Sequence, residues 1–222
     1  MAQAQSKRNW FAIVISIVVV VALIALGAVV VWMNNMATDA GPAPVSSQEF
    51  DAESGAITFG EGKDVIDVFV DFQCPICRDF EEQFGAQLME AAEGDRITLA
   101  YHPVAILDRY SQGTDYSSRS AGAAVCVAET HPDAYLDFAQ LLFDNQPAEN
   151  TPGLETSRLA DYAAQVGADD AVSCITDETY RKFGAAQAKK HEVAGTPTVD
   201  INGTRLNMQD SADFQKFVDL IS

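Results

Sequence analysis

Hydrophobic residues form one long uninterrupted run near the start of the chain. Residues 10–33 carry no charged side chain, and a helix of this length extends about 36 Å, enough to cross the hydrocarbon core of a bilayer. Lys7 and Arg8 precede the run, and no basic residue follows it until Lys63. The positive-inside rule therefore predicts a cytoplasmic N-terminus over residues 1–9, a transmembrane signal anchor over 10–33 and an extracytoplasmic remainder.

A cleavable signal peptide is the alternative interpretation of this segment. Its apolar region is normally about 7–15 residues long and ends in small residues at the cleavage site. Thr38-Asp39-Ala40 is the nearest such site and matches it weakly, so the anchor is favoured. Residues 34–47 are rich in Ala, Gly, Pro and Ser, a composition that predicts a flexible linker above the membrane.

Two apolar segments rich in β-branched residues follow, with a helical period between them. Residues 65–72 and 97–101 have the pattern of buried strands. Apolar residues recur at every fourth position from Ile76 to Leu88, which predicts a helix over about residues 75–92. Strand, helix and strand in this order predict a βαβ unit with a parallel strand pair.

The pattern then changes to Ala-rich helical periodicity, from about residue 110 to residue 182. Another helix is predicted over residues 178–191. Strands return at 198–201 and 205–208, and Asn202-Gly203 between them is a strong hairpin signal. A last amphipathic helix ends the chain, so the order is βαβ, a helical block, then ββα.

Acidic residues dominate the chain beyond the apolar run. All 32 Asp and Glu lie at or after Asp39, whereas only 12 of the 14 Lys and Arg do, so the net charge of this part is 12 − 32 = −20. This charge argues against nucleic acid or an anionic membrane surface as a partner. It predicts a soluble, self-repelling surface.

Four cysteines follow the apolar run: Cys74, Cys77, Cys126 and Cys174. An even number in an extracytoplasmic domain favours disulfides over free thiols. A zinc site is disfavoured, because the last two cysteines are 48 residues apart and neither has a Cys or His within four residues. No metal ligand or cofactor is predicted. Three histidines show no ligand spacing and are interpreted as structural or surface residues: His102, His131 and His191.

The position of Cys74 in front of a helix favours a redox pair. If the helix begins at Pro75, Cys74 is its N-cap, and the free N–H groups of Ile76 and Cys77 point toward its sulfur. The positive end of the helix dipole lies there too, so both effects lower the pKa of the Cys74 thiol below its free value of about 8.5. Cys74 is therefore the predicted nucleophile and Cys77 the resolving cysteine. A purely structural staple is the weaker alternative, since so short a loop removes little unfolded-state entropy.

These features resemble the thioredoxin superfamily, and more narrowly its DsbA-like thiol:disulfide oxidoreductases. The resemblance lies in "DFQCPIC" (residues 71–77) after a strand, in "GTPT" (residues 195–198) before the returning hairpin, and in the helical block between them. It implies an α/β thioredoxin fold over residues 48–222 with an inserted all-helical domain over about 110–182, preceded by one transmembrane helix.

The resemblance also assigns roles to residues far from the cysteine motif. It implies that Thr196-Pro197 is a cis peptide that faces the cysteines and pairs with an extended substrate. Some proteins of this kind carry a second, structural disulfide, which Cys126 and Cys174 would form here. Two buried free thiols, or a pair that relays electrons to the active cysteines, are the alternatives.

The sequence departs from the family at two positions. Ile76 stands where strongly oxidising members have His, so Pro75 and Ile76 are the redox-tuning residues and a milder oxidant is predicted. Val68 stands where relatives bury an acid beneath the resolving cysteine. Asp67 and Asp71 flank this position on the opposite strand face, and each is a candidate proton relay, with an ordinary solvated or hydrogen-bonded carboxylate as the favoured alternative.

The resemblance implies an extracytoplasmic enzyme that donates disulfides to unfolded exported proteins with free cysteines. It further implies a monomer that is reoxidised by a quinone-linked membrane protein similar to vitamin-K-epoxide reductase or DsbB. Two alternatives remain at this point. One is a membrane-tethered reductase for cytochrome maturation or repair, and the other is a non-catalytic binding module stapled by both cysteine pairs.

Overall fold

The structure is a computed structural model and describes residues 10–38 and 41–222. These residues form two compact units, an N-terminal helix and a larger domain. The cytoplasmic segment predicted over residues 1–9 lies outside the described residues, as do residues 39 and 40 of the weak cleavage site.

The N-terminal unit is a single helix, α1, over Trp10–Thr38. Its segment Ile13–Val31 is long and apolar enough to cross a membrane, with a mean hydropathy of 3.3. The predicted N-terminal apolar helix is thus present. It continues beyond residue 33, so the first residues of the linker predicted over 34–47 are helical.

The last residues of that predicted linker are also ordered, because they dock on the larger domain. Pro44 is buried, and the Val45 N–H donates to Glu129 Oε1 at 2.7 Å. Ser47 Oγ accepts from the Phe50 N–H at 3.0 Å and so leads the chain into the first strand. The last residues of this segment therefore contact the larger domain, and the flexibility of the linker stays a prediction.

The larger domain places six strands and seven α-helices within the described residues, together with three single turns of 3-10 helix. In chain order the strands and α-helices are β1 (Phe50–Asp51), β2 (Ala56–Phe59), β3 (Asp64–Val70), α2 (Pro75–Glu93), β4 (Ile97–Pro103), α3 (Tyr116–Thr130), α4 (Tyr135–Asp144), α5 (Thr156–Gln165), α6 (Val172–Thr176), α7 (Phe183–Lys190), β5 (Thr198–Ile201), β6 (Thr204–Arg205) and α8 (Ser211–Ile221).

The strands form one mixed sheet in the order β1-β2-β4-β3-β5-β6. β3 and β4 run parallel, from the pair Asp64–Ile97 to the pair Val70–Pro103, which confirms the predicted βαβ unit. All other neighbours are antiparallel. The β5–β6 hairpin turns at Asn202-Gly203, where both residues have positive φ, although its second strand is shorter than the pattern predicted.

The helical block between β4 and β5 is present. Its last helix, α7, ends at Lys190, one residue before the end predicted for the helix that follows the block. The helix expected over residues 178–191 begins only at Phe183. Together with the sheet, this block confirms the thioredoxin fold with a helical insertion.

The main core lies between the helices and one face of the sheet. Val68 and Val70 of β3 belong to it, together with Cys77. Phe69 points to the other face and packs in a smaller cluster with Val104 and other residues. Because β3 ends at Val70 and α2 begins at Pro75 after four intervening residues, the cysteine motif lies at the carboxyl edge of the central strand.

Candidate active site

Cys74 occupies the N-cap of α2, as the sequence predicts. Its backbone is extended, with φ −79° and ψ 115°, and Pro75 is the first helical residue. The Cys74 carbonyl accepts from the N–H groups of Cys77 at 3.1 Å and Arg78 at 3.3 Å. Proline suits this position since its missing N–H would have had no partner in the helix. Cys74 is 6% exposed and Cys77 is fully buried, so Cys74 is the cysteine of the pair that is accessible from the protein surface.

The two thiols have opposite pKa shifts. The pKa of Cys74 falls to about 6, chiefly because the Cys77 thiol donates a hydrogen bond to it, with further help from the Thr196 hydroxyl and from the N–H groups of Cys77 and Ile76. Burial opposes this shift. The pKa of Cys77 is raised, first by burial and then by Cys74. Cys74 therefore holds the thiolate of the reduced pair.

The Thr196–Pro197 peptide is cis and lies beside the cysteines. The Cys74 thiol donates to the Thr196 carbonyl at 3.3 Å. The sheet explains this proximity, since Thr198 of β5 pairs with Phe69 of β3, which brings the preceding peptide to the edge where Cys74 lies. The Thr196 hydroxyl is buried and forms no hydrogen bond with any described residue. It nevertheless lowers the pKa of Cys74.

Ile76 does not share the buried face of α2, although the sequence placed it in the same four-residue period. Its side chain is 64% exposed, whereas Phe80, Phe84 and Leu88 are buried. The second helical position faces outward here, one residue before the buried Cys77. An exposed apolar side chain therefore lies next to the reactive sulfur.

Asp67 is not brought to the active site. Its carboxylate contacts His102 Nε2 at 2.9 Å, on the sheet face opposite Cys77. His102 in turn lies near His191, with ring centroids 5.3 Å apart, and stacks on Phe69 at 4.3 Å. Two histidines that seemed isolated in the sequence are thus neighbours, and Asp67 is a partner of this cluster.

Asp71 lies directly beneath the cysteine motif but is fully buried, which strand alternation did not predict because β3 has already ended. Its carboxylate accepts from the N–H of Gln73 at 2.9 Å and from those of Ile106 at 2.9 Å and Leu107 at 3.1 Å. Burial raises its pKa to about 6 despite these donors. The Asp71 backbone faces Cys77 and lowers the pKa of that thiol.

Sequence reasoning missed two glutamines that brace the motif. Gln146 Nε2 donates to the carbonyls of Phe72 at 3.0 Å and Cys74 at 2.9 Å. Gln73 is buried, and its side chain donates to the Tyr110 carbonyl at 3.0 Å. No sequence signal could have found Gln146, because it lies 72 residues from Cys74 in an ordinary polar turn.

The other two cysteines lie within the helical block. Cys126 of α3 and Cys174 of α6 form a disulfide with a Cα–Cα distance of 5.8 Å. Its two cysteines are 48 residues apart in the sequence, so the bond joins two helices that are distant along the chain. Among residues 10–38 and 41–222, no group of three or more His, Cys, Asp or Glu side chains is arranged to hold a metal ion.

Comparisons with known proteins agree with this geometry. A sequence model described as thioredoxin matches residues 56–220. The serine/threonine-protein kinase PknE of Mycobacterium tuberculosis is 33% identical over 159 residues, which cover 65% of this chain but only 28% of the kinase. The chain therefore spans little more than a quarter of that relative.

Two solved structures of Mycobacterium tuberculosis proteins are matched by this chain over nearly their whole length. Reduced DsbA of Mycobacterium tuberculosis has 30% identity and a TM-score of 0.67, with coverage of 75% of this chain and 90% of that one. The reduced disulfide bond oxidoreductase DsbG has 31% identity and a TM-score of 0.64, with coverage of 84% and 90%. The chain belongs to the thioredoxin family, and within that family it is a DsbA-like thiol:disulfide oxidoreductase.

Proposed function

We propose that this protein is a membrane-anchored oxidase that donates disulfides to exported proteins as they fold. Cys74 is the nucleophile that exchanges with substrate, and Cys77 is the resolving cysteine. The observation that supports this direction is the opposite pKa shift of the two thiols, to about 6 for Cys74 and upward for Cys77. A stabilised thiolate favours the reduced enzyme and so makes the disulfide the better oxidant.

The reaction follows from which sulfur is accessible. A substrate thiolate attacks Cys74 Sγ, the Cys74–Cys77 bond breaks, and Cys77 leaves as a thiolate that takes up a proton because its pKa is raised. A second substrate thiolate then attacks the substrate sulfur of the mixed disulfide and releases Cys74 as its stabilised thiolate. The substrate loses two electrons and two protons and gains a disulfide, while the enzyme becomes a dithiol.

The residues around the cysteines support binding of an extended peptide. Thr196 and Pro197 line the edge beside Cys74, and Pro197 has no N–H that could occupy this edge, which leaves the Thr196 backbone to pair with substrate. Ile76 supplies an exposed apolar contact next to the sulfur. Pro75 and Ile76 set the strength of the oxidant through the helix N-terminus.

The structure favours a positioning role for Asp71. Its carboxylate fixes the loop at Ile106 and Leu107 against the motif, and no hydrogen bond joins it to either sulfur among the described residues. A relay of the Cys77 proton through Asp71 is thus less well supported than this bracing. Asp67, bonded to His102, is assigned no part in the exchange.

The location and partners complete the proposal. The apolar segment Ile13–Val31 anchors a monomer with its N-terminus in the cytoplasm, and the domain lies outside the membrane. A quinone-linked membrane protein similar to vitamin-K-epoxide reductase or DsbB reoxidises Cys74 and Cys77.

A fusion with alkaline phosphatase tests the topology, since that enzyme requires an extracytoplasmic location. The phosphatase fused after Ser222 is expected to be active in cells, and an inactive fusion would contradict the topology.

Refolding of a reduced, disulfide-requiring protein tests the activity. The oxidised full chain in detergent is expected to accelerate disulfide formation, Cys74→Ala is expected to be inactive, and the matched double variant Cys126→Ala/Cys174→Ala is expected to retain activity per folded molecule. Equal refolding rates for wild type and Cys74→Ala would contradict an enzymatic role and favour a non-catalytic binding module.

The redox potential of the Cys74–Cys77 pair tests the direction of the reaction. A value well above that of thioredoxin, about −270 mV, supports an oxidase, and a value as low as thioredoxin's supports a reductase.

A further inference from the structure

A cavity of about 380 Å³ lies between α2 and α4, two turns along α2 from the cysteines. Apolar side chains form most of its wall, among them Met89 and Leu136. Three carboxylates line it, those of Glu81, Glu82 and Asp137, and none of the described Lys or Arg residues does. Glu82 is paired with Arg78, with 3.7 Å between Arg78 Nε and Glu82 Oε1. Acidic groups alone do not make a binding site. The side chains that surround the carboxylates inside the cavity therefore decide what it can bind.

Glu81 is held inside the cavity by two features of the chain. The Tyr101 hydroxyl donates to both carboxylate oxygens, at 2.9 and 3.1 Å. The carboxylate folds back over Gly85, where a Cβ would overlap Glu81 Oε1. Glycine is unfavourable in the middle of a helix, and here it permits the inward position of the carboxylate. Burial raises the pKa of Glu81.

Tyr135 supplies an unused polar atom in the same cavity. Its side chain is fully buried, and its hydroxyl has no hydrogen-bond partner among the described residues. Its ring lies 6.2 Å from that of Tyr101, whose hydroxyl donates to Glu81, and the negative charge of Glu81 adds to burial in raising the pKa of Tyr135. A buried hydroxyl without a hydrogen-bond partner costs free energy. A ligand with a hydrogen-bonding group near Tyr135 would remove this cost.

We propose that this cavity binds a cationic side chain, arginine or lysine, of the polypeptide whose cysteine reacts with Cys74. The inference rests on the proposed function and adds a substrate preference to it. A partly buried carboxylate with free lone pairs and an unpaired hydroxyl suit a group with several N–H donors and a positive charge. The carboxylates do not converge as metal ligands, which favours a spread-out cation over a metal ion.

The distance from the reactive sulfur fits this role. Glu81 follows Cys74 by seven residues, or about 10 Å along the helix axis. An extended peptide covers that distance in about three residues. A depression lined by Pro75, Arg78 and Gln146 lies beside the first turn of α2, so a peptide that runs along α2 from Cys74 toward Glu81 passes over it. The excess of acidic residues across the domain adds a general attraction for basic segments.

Equilibrium binding tests the site without any redox step. The probes are N-acetyl-arginine amide, its lysine counterpart and N-acetyl-citrulline amide, an uncharged analogue of arginine, titrated by NMR into the reduced full chain in detergent. The arginine or the lysine probe is expected to bind about tenfold more tightly than the citrulline probe. Glu81→Gln is expected to abolish this preference and Tyr135→Phe to reduce it severalfold. Glu90→Gln, the same charge change at an exposed position of α2, is expected to preserve it.

Kinetics then connect the site to catalysis. Peptides with one cysteine and, three residues away, either arginine or citrulline are used to reduce the oxidised enzyme. The arginine peptide is expected to react about tenfold faster with wild type and Glu90→Gln, and at an equal rate with Glu81→Gln. Equal rates for both peptides with wild type, or a preference that survives Glu81→Gln, overturn the inference. Failure of both peptides to react contradicts the proposed function instead. The equilibrium binding experiment then still tests whether the cavity prefers a cation.

Discussion

The two cysteine pairs of this protein each contain one cysteine of almost zero exposure, yet their chemistry differs. Cys77 and Cys126 are both almost completely inaccessible, yet Cys74 and Cys77 are free thiols in the structure whereas Cys126 and Cys174 are bonded. Cys126 lies within α3, where the N–H groups of the helix are already paired. Cys74 precedes α2, where the N–H groups of Ile76 and Cys77 and the Thr196 hydroxyl stabilise a negative sulfur.

The comparison teaches that donors around the sulfur, and not its burial, separate a reactive cysteine from a structural one. Burial by itself raises a thiol pKa, as it does for Cys77. Cys74 overcomes the same penalty because its partner thiol, the nearby Thr196 hydroxyl and the backbone N–H groups of Cys77 and Ile76 all lower its pKa. The four predictions below test this difference, in order of expected size.

The acidity of Cys74 is expected to give the largest effect. A fall in pKa from 9.0 to about 6 is about a thousandfold increase in the acid dissociation constant. Thiolate absorbance at 240 nm in the reduced full chain, with Cys126–Cys174 intact, should therefore rise with a midpoint near pH 6. Cys77→Ala should raise the midpoint, because the largest stabilising donor is lost, while keeping it below 9. A midpoint near 9 in wild type would contradict the role assigned to these donors.

Removal of the structural pair is expected to cost stability without changing the redox site. The Cys126–Cys174 bond closes a loop with a sequence separation of 48, and the chain-entropy model gives at most about 4 kcal/mol for its contribution. Cys126→Ala/Cys174→Ala should lower the free energy of unfolding by up to this amount in chemical denaturation. The thiolate titration of Cys74 should be unchanged. A shift in that titration would show that the second pair communicates with the first.

The pH dependence of stability should differ between the oxidised and reduced enzyme. The folded-state pKa of Cys74 is depressed, so its stabilisation of the reduced form is present above the unfolded pKa of 9.0 and is lost as pH falls through about 6. At pH 7 it amounts to about 1.4 kcal/mol. The difference between reduced and oxidised unfolding free energies should grow by about this much from pH 5 to pH 7. A difference that is flat with pH contradicts the thiolate model.

The smallest effect is expected at Ile76. A protonated imidazole at this exposed position would face the Cys74 thiolate, and an exposed ion pair contributes about 0.5–1 kcal/mol. Ile76→His should therefore raise the redox potential by about 10–20 mV at pH 6 and lower the Cys74 pKa slightly. Ile76→Val, which brings no charge, is the control and should leave both values unchanged. A larger response to Val than to His would show that packing, and not charge, acts at this position.

Much of the redox site follows from local sequence. The strand before the motif, the helix that begins at Pro75 and the N-cap position of Cys74 depend on periodicity and on the chemistry of neighbouring residues, which act over one or two turns. The role of Gly85, by contrast, is visible only in the structure, where the Glu81 carboxylate folds over it. The hydrogen bond from the Val45 N–H to Glu129 could not be predicted from the composition of the linker, because its partner lies 84 residues away.

The sequence by itself determined an apolar N-terminal helix, a βαβ unit, a helical insertion and a cysteine at a helix N-terminus. Only the tertiary structure decided which distant groups surround that cysteine. Thr196 lies 122 residues from Cys74 and Gln146 lies 72 residues from it, and the same long-range packing joins Asp67 to His102 and Glu81 to Tyr101. Local patterns set each element, but strand pairing and helix packing choose the partners, because they act between segments with no sequence relation to one another.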